Sequence, residues 1–162
     1  MSYLLITLTA LTLFAFPINK VQANGLQDTY NPQQTLTAEQ QEQEWSRQLV
    51  AYARTLEGKR LGHCVLGIRN YFGVSRKEVQ GQAKNTVINS QTGKVGAIIV
   101  FKNMSRWGHV TYQITTPDQN GNITYIGFNE KGTPREIATG RGKAVIKTIN
   151  ISDKRISGYR II

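Results

Sequence analysis

Apolar positions fall into three regimes along the chain. Residues 3–16 are almost wholly apolar or Thr, with no alternation. Between residues 37 and 72 apolar side chains recur every three or four positions, and beyond residue 95 they come in short continuous or alternating runs bounded by turn residues. The second pattern is that of helices and the third that of strands. Thr37 with Gln40 three places later fits a capping box, in which each side chain satisfies an orphan donor at a helix start. Trp45, Leu49, Tyr52, Ala53 and Leu56 follow at helical spacing, and Gly58 supplies a stop. This helix is expected to pack through its Trp45 and Leu49 stripe. A shorter helix is predicted over 64–72, where Cys64, Ile68 and Tyr71 with Val65 and Phe72 form one face after Gly62, and Gly73 ends it.

Residues 95–101 are a nearly continuous apolar run, as a strand covered on both faces requires. Val110, Tyr112 and Ile114 alternate with Thr111, Gln113 and Thr115, the pattern of a half-buried strand. Asn120 and Gly121 offer the positive φ of a tight hairpin leading into a strand over 123–128. Further strands are expected over 144–149 and 158–162. Helices followed by an antiparallel sheet give an α+β class.

The first apolar run is followed by Pro17 and then by Val21-Gln22-Ala23, in which Val21 and Ala23 are small residues at the places a signal peptidase reads. Residues 1–23 are therefore expected to be a secretory signal peptide, although no Lys or Arg precedes the apolar run. An uncleaved N-terminal anchor is the alternative, and the run is shorter than the roughly 20 residues that span a bilayer. Residues 24–36 lack periodicity and read as a polar linker, leaving 37–162 as one domain.

The chain has 162 residues and a net charge of +10. Residues 1–60 carry five bases and five acids, so the whole excess lies in residues 61–162. A field of that sign draws the domain toward a polyanion: nucleic acid, an acidic membrane face or an anionic wall polymer. The export signal argues against nucleic acid. One cysteine excludes an internal disulfide framework, and with only two histidines too few soft ligands remain for a structural zinc site. No phosphate-binding loop is present, since Gly140 and Gly142 flank Arg141 outside any Gly-rich strand-to-helix turn. Neither metal nor cofactor is expected.

An exported protein with one thiol holds it buried and inert, pairs it with another chain, or keeps it free because it reacts. Cys64 is predicted at a helix start, close in sequence to Lys59, Arg60 and His63, and such a setting favours thiolate. A thiolate is the nucleophile of acyl transfer, which also needs a base and a group to orient that base. His63 adjoins Cys64, and neighbouring side chains at a helix start diverge, so it is a poor base for that thiol. His109 opens a strand after Gly108, and the next strand ends in Gly127, Phe128, Asn129 and Glu130. Cys, His and Asn in chain order make a triad possible.

Gly62-His63-Cys64-Val65, Gly81-Gln82-Ala83-Lys84-Asn85, Lys94-Val95-Gly96-Ala97-Ile98-Ile99-Val100-Phe101, Gly108-His109-Val110 and Gly121-Asn122-Ile123-Thr124-Tyr125-Ile126-Gly127-Phe128-Asn129 appear in the order of the CHAP domain, which this chain resembles over about a hundred residues. Residues 156–162 also resemble that family's last strand. The resemblance implies a papain-like fold and a cysteine amidase or endopeptidase of peptidoglycan, cutting the muramoyl–L-alanine bond or bonds of the stem and cross-bridge peptides. By position Cys64 is the nucleophile, His109 the general base and Asn129 the group that orients His109. The backbone N–H of Cys64 is expected to help bind the oxyanion, and Arg106, Trp107 and Tyr112 to form cleft walls.

Two positions depart from the family. His63 stands where many members have Gln before the cysteine, and Gly127 where a Glu commonly lies two places before the Asn. His109 is then expected to rely on Asn129 alone, because in an alternating strand Glu130 points to the opposite face. The reading is an exported peptidoglycan hydrolase whose basic surface holds it on an anionic wall. The alternative is a catalytically weak or inactive CHAP-like module that binds wall polymer or a partner protein.

Overall fold

The computed structural model describes residues 36–80, 82–102 and 104–162. The expected signal segment and all of the linker but Leu36 lie outside the described residues. Helix α1 (Ala38–Leu56) begins at the Thr37–Gln40 capping box, with the Thr37 side chain accepting from the Gln40 N–H and the Gln40 side chain accepting from the Thr37 N–H. Helix α2 (Cys64–Phe72) ends at Gly73 in the left-handed conformation. A single 3₁₀ turn (Ala83–Asn85) leads into five strands: β1 (Ile98–Phe101), β2 (His109–Gln113), β3 (Asn122–Lys131), β4 (Lys143–Asn150) and β5 (Ile156–Arg160). A five-residue helix, α3 (Pro134–Ala138), joins β3 to β4 and carries its own capping box from Thr133 and Glu136.

The strands form one antiparallel sheet in the order β4-β3-β2-β1-β5, so the class is α+β as the pattern of apolar positions predicts. Alternation along each strand sends side chains to two separate cores. On one face Ile98, Val100, Val110, Tyr112, Ile126 and Phe128 pack against Ala53 and Leu56 of α1 and Val65 and Ile68 of α2. On the other, Ile99, Phe101, Ile123, Tyr125 and Tyr159 form a second cluster. Gly67 lets α2 lie directly on β3, since a Cβ there would meet the Phe128 ring at 2.2 Å.

Helix α1 packs through the expected stripe at Leu49 but not at Trp45. Ala53 and Leu56 are buried with Leu49 packed beside them, whereas Trp45 is 57% exposed. The side chains nearest the C-terminal end of α1 reach the sheet core, and Trp45 lies two turns before them. The strand assignments shift by one to three residues at their ends, and the 3₁₀ turn and α3 have no counterpart in the sequence reading.

Candidate functional site

Cys64 is the first residue of α2, and His63 before it is extended and offers no side-chain cap. The N–H groups of the first helical turn are therefore left to the thiol, which is where a helix start stabilises negative charge. The Val65 and Val110 backbone N–H groups lie within reach of the Cys64 sulfur and favour its charged form. Its side chain is half-buried, packed against the rim of the helix-side core.

His109 opens β2, with its ring within reach of the Cys64 sulfur. Gly108 before it has φ +75°, and a Cβ there would fall 2.5 Å from the Lys84 nitrogen. Only glycine permits that turn to press on the 3₁₀ segment, where the Lys84 N–H donates to the Trp107 carbonyl at 2.9 Å. The His109 Nε2 lies 2.8 Å from Oε1 of Glu130, which leaves Nδ1 for the thiol. Oε2 of the same carboxylate accepts from Lys147 Nζ at 2.6 Å. Cys64, His109, Glu130 and Lys147 thus form one continuous chain of polar contacts across α2, β2, β3 and β4.

The residue touching His109 is Glu130, and the orienting role expected of Asn129 is corrected on that point. Regular pairing of β2 with β3 matches Tyr112 to Ile126 and Gln113 to Tyr125, a register that carried onward sets residue 129 opposite His109. The strand departs from it. Between the Gly127–Val145 and Lys131–Lys143 pairs, three residues of β3 lie opposite one of β4, and Asn129 takes φ +61°. Such a bulge resets the alternation of side chains, so Glu130 takes the face that position 129 would have had. Asn129 instead fastens the α3 to β4 connection. Its Nδ2 donates to the Ile137 carbonyl at 2.6 Å and its Oδ1 accepts from the Gly142 N–H at 2.7 Å. Asn, with a short amide that bonds locally, is the side chain best suited to a left-handed position after glycine.

Electrostatics follow from this chain of contacts. Burial alone would raise the Cys64 thiol, but the hydrogen bond and charge of His109, with the two backbone N–H groups, bring it below its usual value. Burial alone would lower His109, and the hydrogen bonds and charges of Cys64 and Glu130 instead push it up to about 9. Burial works against the Glu130 carboxylate too, yet His109 and then Lys147 hold it below the ordinary range. Each partner thus favours the charged form of the other, thiolate beside imidazolium, which is the charge state in which the sulfur attacks and the ring can protonate a leaving group.

The pair opens into a cleft of about 1140 Å³. Leu66, Met104, Trp107 and Ile137 line it and are each more than a third exposed. Arg106 stacks on the Trp107 ring at 4.4 Å, and Arg69 lies on the helix side. Arg106 and Trp107 are thus cleft walls as expected. Tyr112 is buried on the core side against Phe72, with ring centroids 4.1 Å apart, and lines no part of the cleft. His63 lies at the cleft edge, its Nδ1 3.5 Å from the Asn129 amide and its ring against Gly140. Lys147 carried no signal in the sequence beyond an alternating strand position. Among the described residues no group of three or more His, Cys, Asp or Glu is placed to hold a metal ion.

A half-buried thiol at a helix start, an imidazole against it and a carboxylate behind the ring are groups whose chemistry suits nucleophilic acyl transfer. No protein-family model matches the chain, and no curated protein matches it at a significant level.

Proposed function

We propose that this protein is an exported cysteine hydrolase that cleaves an amide bond of peptidoglycan. The observation that carries the reading is the ordered contact of Cys64, His109 and Glu130 at the mouth of an open cleft. Its resemblance to the CHAP domain supports a papain-like arrangement, with the nucleophile at the start of α2, the second of the two helices that cover the sheet.

In the first half of the reaction the Cys64 thiolate attacks the amide carbonyl, and the oxyanion forms at the start of α2, where the Cys64 N–H is a donor. His109 then gives its proton to the departing amine, and the C–N bond breaks to leave a thioester. In the second half water attacks the thioester, His109 takes up the water proton, and the thiolate is released with a carboxylic acid product. Glu130 touches neither sulfur nor substrate in this sequence. It stabilises the imidazolium and keeps Nδ1 turned to the sulfur. The exposed apolar and cationic rim suits a flexible peptide bearing carboxylates, and the net positive charge suits retention on an anionic wall.

The alternative of a silent wall-binding module is motivated by the missing carboxylate at Gly127. Glu130 supplies a carboxylate to His109 from a different position, so the hydrolase is the better supported reading. The test is incubation of the purified full-length protein, wild type and Cys64→Ala in parallel, with insoluble peptidoglycan, followed by mass analysis of released fragments. New amine and carboxyl ends from wild type alone are the expected result. No release by either, with both proteins pelleting with the wall, overturns the hydrolase in favour of the binding module.

A further inference from the structure

Gly127 lies on the same face of β3 as Tyr125, pointing away from the helices. Its backbone is not in the left-handed region, so a side chain there is not excluded by the torsion angles. Space excludes it. A Cβ built on Gly127 falls 1.7 Å from Oε1 of Glu130 and 2.3 Å from its carboxyl carbon, which means the Glu130 carboxylate occupies the volume a side chain at 127 would fill. That same oxygen is the one 2.8 Å from His109. The bulge at Asn129 folds Glu130 back over position 127, and the absent side chain is the room it folds into.

We propose that Gly127 is a positioning residue of the reacting pair: its missing side chain is the seat of the Glu130 carboxylate, and filling that seat disconnects Glu130 from His109. The inference rests on reading Cys64 and His109 as the reacting pair. The groups that face Glu130 are His109 from β2, Lys147 from β4 and Tyr125 from β3 itself, with Cys64 of α2 reached through His109. The atoms a new Cβ would strike are the far end of one flexible side chain and not backbone. Gly127→Ala should therefore move Glu130 while leaving the strand in place.

The experiment is an NMR titration of the His109 ring in the full-length protein, with His63→Gln used to separate the two histidine signals. It needs no substrate, so it reads the seat whether or not peptidoglycan is hydrolysed, and the two proposals fail independently. Glu130→Gln is expected to lower the His109 midpoint by about one pH unit or more, because an opposite charge in contact has been removed. Gly127→Ala is expected to lower it equally, and the double variant Gly127→Ala/Glu130→Gln to match either single one, as residues acting through a shared contact do. A Gly127→Ala protein that titrates like wild type, or a double variant whose shifts add, overturns the proposal. Should Gly127→Ala fail to fold, Gly127→Ala/Glu130→Ala removes the struck side chain. Recovery of a folded protein then supports the seat, and continued failure shows that Gly127 serves the backbone and overturns it.

Discussion

Strand β3 contains two regions of opposite character. Residues 122–126 pair with β4 in unbroken register, send Ile126 to the helix-side core and Ile123 and Tyr125 to the other, and carry no chemistry. Residues 128–131 lose that register, and within them Phe128 still packs on α2 while Asn129 and Glu130 are turned to new tasks. Regular pairing maximises burial and leaves side-chain direction to strict alternation. The bulge gives up regular backbone pairing and in return aims one carboxylate at His109 and one amide at the α3 to β4 connection. The comparison separates residues that hold the sheet together from residues that aim the reacting groups.

The largest effect should come from the group that the bulge serves. His109→Ala is expected to cut peptidoglycan cleavage by about a thousandfold, the scale of a lost general acid and base, and to lower the melting temperature because the buried Glu130 carboxylate loses a partner. Steady-state fragment release with parallel thermal unfolding checks both halves. In the regular region the outcome reverses: Ile126→Ala should cost about 2–5 kcal/mol of stability by leaving a cavity under α2, with cleavage retained by the protein that remains folded. Urea denaturation followed by fluorescence reads that loss, and a change below about 1 kcal/mol would show that the helix-side core does not depend on the regular half.

Asn129 tests the bulge itself. Asn129→Ala removes two hydrogen bonds to the backbone and leaves a β-carbon at φ +61°, and a loss of about 1–3 kcal/mol is expected. The His109 titration should stay where it is in wild type. A fall as large as that of Glu130→Gln would return Asn129 to the orienting role that its position in the sequence suggests.

The dependence on pH sharpens the same division. His109 is raised to about 9, so cleavage should fall by about tenfold per unit above that pH, as the ring loses the proton owed to the leaving amine. Alkylation of Cys64 by iodoacetamide should not fall there, because the thiolate survives loss of the imidazolium proton. On the acid side both should decline together as the sulfur takes up a proton at a pH below its ordinary value. The smallest effect is expected of Lys147, which contacts Glu130 from a half-exposed position on β4. Lys147→Met should change stability by no more than about 1 kcal/mol, measured by chemical denaturation, because solvent screens the half-exposed ammonium and His109 remains as the partner of the carboxylate.

Much of this arrangement is legible in the sequence. The Thr37–Gln40 box, the apolar face over 64–72 and the alternation after residue 110 are local patterns, and local hydrogen bonding and burial suffice to turn them into α1, α2 and β2. Cys64 at a helix start and His109 after a glycine follow from the same patterns. Which part of the α1 stripe is covered does not, because Trp45 and Ala53 both fit it and only the position of the sheet decides between them.

The choice between Asn129 and Glu130 belongs entirely to the tertiary structure. Sequence alternation puts adjacent residues on opposite faces, and by that rule Asn129 faces His109. A bulge is a compromise between two strands and the connection that joins them, so no single segment encodes it. Here the α3 to β4 connection supplies the carbonyl and N–H groups that draw Asn129 aside, and Gly127 supplies the room that Glu130 enters. The sequence by itself determined which residues could react and on which elements they stand. Only packing of four separate elements decided which carboxylate meets the imidazole, because that contact depends on where β3 leaves its register and on what space lies beside it.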